Sequence, residues 1–97
     1  MLIRIVRLHL QEEFTQSFHE IFEAIAPKIR QTHGCKRLDL WVDTTSVNIV
    51  TTYSEWDSES SLNRYRQSDL FKSNWEQVKP FFADSAIAHS YYVYQTN

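Results

Sequence analysis

Residues Val47–Trp75 read VNIVTTYSEWDSESSLNRYRQSDLFKSNW, and their pattern decides the fold. A β-branched run ends in Trp56, a cluster of small polar residues follows, and then Leu62, Tyr65, Leu70, Phe71 and Trp75 recur at helical spacing. A strand over 47–55 therefore feeds a helical segment that lays large aromatics back across a sheet. Asp57 or Ser58 caps a short helix running to about Arg66, and Ser68 or Asp69 caps a second from Leu70 to about Lys79, weakened at its end by Pro80. Tyr65 and Trp75 bring an O–H and an N–H into an otherwise apolar layer, which marks them as candidates for holding a small molecule.

Upstream, LIRIVRLHL over 2–10 has no turn residue and reads as strand one. Leu2, Val6, Leu8 and Leu10 point one way, Ile3 and Ile5 the other. Helix one covers 13–31, with Phe14, Phe18, Ile21, Phe22, Ile25 and Ile29 on its apolar stripe. Pro27 lies within it and predicts a kink around 23–27. Gly34 ends the helix, because it alone takes a positive φ without steric cost. Strand two follows at 36–42, Asp43 to Ser46 turn the chain, and 86–95 form the last strand. The order β-α-β-β-α-β is that of a ferredoxin-like α+β unit: one four-stranded antiparallel sheet with helices on one face, in a single domain over 1–97.

Two helical segments cover one face of such a sheet. Ile3 and Ile5, or else Leu2, Val6 and Leu8, must then occupy the other, together with Val47, Ile49, Ile87, Tyr91 and Val93. At ~25 cal/mol per Å² of apolar surface, that uncovered face is costly. Packing two copies sheet to sheet removes the cost, so the expected folding unit is a homodimer.

Composition narrows the partners. The chain is 42% hydrophobic and 14% aromatic, with one Gly, and its net charge of −2 offers no field for nucleic acid or an anionic membrane. RNA-binding sheets of this order carry aromatics on strand one, and none stands there. The N-terminal apolar run is too short and too charged for a signal peptide or membrane span, and the single Cys35 excludes an internal disulfide. The expectation is a cytoplasmic protein that binds a small apolar or aromatic molecule, with no nucleic-acid or membrane partner.

Arg4 shares its strand face with Leu2, Val6 and Leu8, an odd setting for a guanidinium. It either snorkels or pairs with Asp39 or Glu55, or else it clamps an anion in a cavity between helices and sheet. Trp56, Tyr65 and Trp75 are either plain core or pocket wall, Trp56 being the best placed to anchor the strand-to-helix turn. The four histidines are scattered and lack metal-ligand spacing, so no metal is expected.

IRIVRLHL, FTQSFHEIFEAIAPKIR, GCKRLDL, TYSEWDSESSL and SDLFKSNW, in this order, resemble the antibiotic biosynthesis monooxygenase family of dimeric α+β barrels. The resemblance implies the same ferredoxin-like monomer, paired through its sheets. It also implies chemistry: some members oxidise quinol-type substrates with dioxygen and no cofactor, the substrate's own enolate or phenolate supplying the electrons. Carried over, Arg4 and Trp75 would be catalytic, while Tyr65, Val6, Phe22 and Trp56 would bind the substrate. Haem-degrading members place an axial His where this chain has Trp75, an Asn where it has Val6, and a Trp where it has Tyr65, which disfavours haem degradation. The alternative is a non-enzymatic, small-molecule-binding dimer.

Overall fold

The computed structural model describes residues 1–96. Its elements are β1 (Leu2–His9), α1 (Thr15–Arg30), β2 (Cys35–Val42), β3 (Ile49–Trp56), α2 (Glu59–Arg66), α3 (Asp69–Val78) and β4 (Ile87–Tyr92), with single 3-10 turns at Glu12–Phe14 and Lys79–Phe81. The four strands form one antiparallel sheet in the order β2-β3-β1-β4, the ferredoxin-like arrangement. All three helices lie on one side of it. Leu2, Leu8, Phe18, Phe22, Ile29, Leu38, Val50, Trp56 and Leu62 form the buried layer between them.

Boundaries differ from the sequence reading for local reasons. The Asp43 carboxylate accepts from the Thr45 and Ser46 amides, both at 3.0 Å, and from the Thr45 hydroxyl at 2.8 Å. The turn it stabilises continues until the Ile49 amide bonds the Ser46 carbonyl. Val47 thus belongs to the turn rather than to the sheet, and Trp56 is the last residue of β3, not a position beyond it. β4 stops at Tyr92 because its partner β1 begins at Leu2, opposite Tyr92; Val93 has no strand-mate on that side. The kink at Pro27 is not a break: α1 runs continuously through it. Glu23, whose carbonyl loses its helical donor to Pro27, is exposed, so water takes the place of that donor.

Both short helices are capped by serine, the Ser58 and Ser68 hydroxyls accepting from the Ser61 and Phe71 amides at 3.1 Å each. Arg30 ends α1 with its guanidinium on the Leu38 carbonyl, at 3.0 and 3.3 Å, which ties the helix to β2.

The sheet face away from the helices carries Ile3, Ile5, Trp41, Tyr53, Ile87 and Tyr91, interleaved with Arg7, Arg37, Asp39, Glu55 and His89. Trp41 stacks on Tyr53 with ring centres 4.8 Å apart, and the Tyr53 hydroxyl donates to Glu55 at 2.8 Å. These long neighbours shield part of the face within one chain. Ile3, directly between Glu55 and Tyr91, is only 9% exposed, whereas Ile87 and Tyr91 on the outer strand are 51% exposed. The apolar surplus on this face therefore sits toward its edges more than at its centre.

Gly34 takes φ +87° between α1 and β2, with its carbonyl accepting from the Asp57 amide at 2.8 Å. A Cβ there would stand 2.4 Å from the Cβ and Oγ of Ser61 at the start of α2. Gly34→Ala therefore combines a left-handed conformation, costing about 1–3 kcal/mol, with a steric overlap that forces α2 to move. Urea unfolding should show a loss at or above that range, and a loss under about 0.5 kcal/mol would contradict the packing described.

Candidate functional site

Between the helices and the sheet lies a cavity of about 320 Å³, floored chiefly by β1 and β3 and at the small end of small-molecule sites. Its origin is local. Of the helix-side residues of and just before β4, Ala86, Ala88 and Ser90 are too small to fill the space above them, and the large one, Tyr92, turns at the strand end to donate its hydroxyl to Glu59 of α2 at 2.6 Å. α3 rests chiefly on α1 and on α2, so its aromatics roof that space instead of collapsing into it.

All six residues singled out by sequence, Arg4, Val6, Phe22, Trp56, Tyr65 and Trp75, line this one cavity. Their circumstances differ. Val6 and Phe22 supply apolar wall. Trp56 is 1% exposed and donates its indole N–H to the Ser54 hydroxyl at 3.0 Å, so only its ring is left to the cavity. Tyr65 stacks on Trp56 at 5.3 Å and meets Phe71 edge-on at 5.3 Å. Phe71 stacks in turn on Trp75 at 5.9 Å, and Trp75 meets Phe82 edge-on at 5.3 Å. Five rings thus stack and meet in one continuous series, four of which, Trp56, Tyr65, Phe71 and Trp75, wall the cavity while Phe82 braces the last from behind.

Arg4 sits in the middle of the sheet, opposite Ser54 on β3 and Ser90 on β4, and donates to the Ser90 hydroxyl at 3.0 Å. It pairs with neither Asp39 nor Glu55. Those carboxylates belong to the other face, where they accept from Arg37 at 2.9 Å and from Tyr53 at 2.8 Å. The ion pairs among the described residues are His9–Asp84 and Arg37–Asp39, both away from the cavity. Burial, and then the like charge of Arg66, pull Arg4 below the usual arginine range. A guanidinium keeps its proton at ordinary pH, so Arg4 remains a cation beside the cavity, where an anion would be favoured.

Four polar residues of the lining escaped sequence reasoning: Thr52, Ser54, Arg66 and Asn74. Asn74 is 6% exposed, and its amide nitrogen has no hydrogen-bond partner. Its signal lay in spacing, because it stands four residues from both Leu70 and Val78, a polar residue at the centre of an apolar stripe. Burial pushes the Tyr65 phenol above its usual range, an effect opposed by the neighbouring Asn74 amide. Tyr65 is therefore a neutral donor at physiological pH. The lining contains no carboxylate and no imidazole among the described residues, so its charged groups are cations and its acceptors are neutral hydroxyl and amide oxygens. It suits a ligand that is apolar over most of its surface and rich in acceptors where it is polar.

Among the described residues, no three His, Cys, Asp or Glu side chains gather into a metal-binding group, and no helix is long and apolar enough to cross a membrane. Cys35 lies outside the cavity lining, with its thiol pushed up by burial.

The profile described as antibiotic biosynthesis monooxygenase matches residues 1–75. No curated protein matches the chain significantly. Among solved structures, a Nitrosomonas europaea protein named for the same family superposes with TM-score 0.90 at 14% identity, over 98% of this chain and 100% of that one. A conserved protein from Methanosarcina mazei Go1 gives 0.87 at 22% identity, over 94% and 91%. A Mycobacterium tuberculosis protein gives 0.88 at 15% identity, over 98% and 96%. At these identities the structural likeness speaks for the fold.

A buried donor without a partner costs about 1–3 kcal/mol, and leucine has nearly the shape of asparagine. Asn74→Leu should therefore raise unfolding stability by about 1 kcal/mol in urea. A destabilised variant would mean that the amide is satisfied within the fold after all.

Proposed function

The chain belongs to the antibiotic biosynthesis monooxygenase family, and from that premise we propose a cofactor-independent monooxygenase acting on a small aromatic, quinol-type substrate. The observation that carries this reading is the cavity itself: apolar walls, an aromatic roof, and a cation with no carboxylate partner facing inward. In the reaction, a phenolate gives one electron to dioxygen, and the resulting substrate radical and superoxide combine through a ring carbon. Loss of the ring hydrogen as the O–O bond breaks then releases water. The sum is a hydroquinone plus O₂ giving a hydroxyquinone plus H₂O, the two hydrogens of the water coming from the ring C–H and from the phenol O–H that ionised.

Arg4 favours the phenolate over the phenol and stabilises the anion during electron transfer, an effect that is large in a water-poor site. Trp75 and Tyr65 orient the ring, and Val6, Phe22 and the Trp56 ring exclude water. No group in the lining is suited to act as base among the described residues, so the substrate's proton leaves to solvent and its own pKa, lowered by Arg4, sets the fraction that reacts.

Oxygen uptake against a panel of hydroquinones tests this reading. The wild type should consume oxygen and form hydroxyquinone and water, rather than the quinone and hydrogen peroxide of simple autoxidation. Arg4→Ala should lower kcat/KM about 100-fold or more, as removal of an oxyanion donor does. Trp75→Phe should cost about five- to tenfold, the worth of one neutral hydrogen bond. Ligand-dependent thermal stabilisation without any oxygen uptake would instead assign the cavity to binding alone.

The same reading includes a homodimer. The partly exposed Trp41, Ile87 and Tyr91, on the face without helices, support a second copy packed sheet to sheet. Sedimentation at micromolar concentration should give twice the 11.6 kDa chain mass, and a non-aggregating monomer would rule the pairing out.

A further inference from the structure

The cavity holds more positive charge than one phenolate requires. Arg4 and Arg66 are close enough to repel, both line the cavity, and neither has a carboxylate partner among the described residues. They stand at different depths. Arg4 is half-buried on β1, whereas Arg66, in the last turn of α2, is exposed at the rim. Farther inside, the Asn74 amide nitrogen is buried and unpaired beside the Tyr65 hydroxyl.

The geometry points to an aromatic carboxylic acid as the substrate class: its carboxylate pairs with Arg66 at the rim, its ionising hydroxyl meets Arg4, and an acceptor oxygen takes the Asn74 amide. This deepens the monooxygenase reading and rests on its cavity, but its binding part stands without the oxygen chemistry. Three observations converge on it. Two cations without counter-charges call for two anionic groups. A lining without carboxylate or imidazole neither repels an acid nor offers a neutral ligand a strong acceptor. A buried donor kept unpaired within the chain implies an acceptor supplied from outside. The guanidinium of Arg66 suits a carboxylate in particular, because its planar fork matches the two oxygens.

Anaerobic binding of a hydroxynaphthoic acid and of the corresponding amide, followed by tryptophan fluorescence, tests the assignment without turnover. The two probes have nearly the same shape and differ in charge. Wild type should prefer the acid by about tenfold or more, the range of a charge-assisted hydrogen bond. Arg66→Gln should abolish that preference and leave amide binding unchanged, while Arg66→Lys keeps part of it. Arg64→Gln, an exposed change in the same helical turn, should keep all of it. Equal binding of acid and amide, a preference that survives Arg66→Gln, or no binding of either would overturn the inference. If the preference depends on Arg66 while no hydroquinone is oxidised, the inference stands and the monooxygenase reading falls. If hydroquinones are oxidised but acid and amide bind alike, the reverse holds.

Discussion

A four-stranded sheet with too few helices to cover it is the constraint from which the other features follow. The helical layer lies entirely on one side, and even there it is incomplete. α1 and α2 settle on β2 and β3, whereas α3 is carried mainly by its neighbouring helices. The space that remains has the small Ala86 and Ala88 on its β4 side and aromatic rings above. Close packing would normally eliminate such a space, since unfilled volume forfeits dispersion contacts. It survives here because the roof is braced ring against ring from Trp56 to Phe82, and a chain of stacked and edge-on rings resists collapse better than aliphatic side chains.

The central strand turns this geometry into chemistry. β1 has hydrogen-bonded neighbours on both sides, so the Arg4 backbone lies in the interior of the sheet. Its guanidinium reaches across to the Ser90 hydroxyl on β4, with Arg66 as the nearby charge. Burial of a charge without a counter-ion is unfavourable unless something compensates, and within the chain the compensation is one serine hydroxyl. Asn74 repeats the pattern with a neutral donor. Two independent elements, a strand and a helix, thus each give up stability at the same cavity, which supports the functional reading proposed for it.

Much of this was legible in the sequence because it was periodic. Alternation along residues 2–10 separated Arg4, Val6 and Leu8 from Ile3 and Ile5, and the structure keeps that division. The aromatic spacing from Leu62 to Trp75 placed Tyr65 and Trp75 over the sheet, and the two serine caps were among the residues proposed. What stayed hidden depended on side chains meeting across the fold. Ser54 is silent until Trp56 bends back to donate to it, and Arg66 looks like any solvated helix residue until Arg4 is found nearby. The hairpin start shifted because Asp43 organises the turn through its side chain, which no hydropathy pattern encodes. Ile3 is screened by Glu55 and Tyr91, residues distant in sequence and adjacent only through strand register.

The close approach of Gly34 to Ser61 has a mechanical side. It sutures the turn after α1 to the beginning of α2, through the Asp57 amide on the Gly34 carbonyl and the short Ser61 side chain seated where a Cβ would be. α3 has no comparable stitch to the sheet, and the β4 strand beneath it is exposed along its length. The cavity accordingly has one stiff jamb and one compliant one. A visiting molecule displaces least by passing on the α3–β4 flank, where the wall yields without unpicking the seam that holds the opposite side.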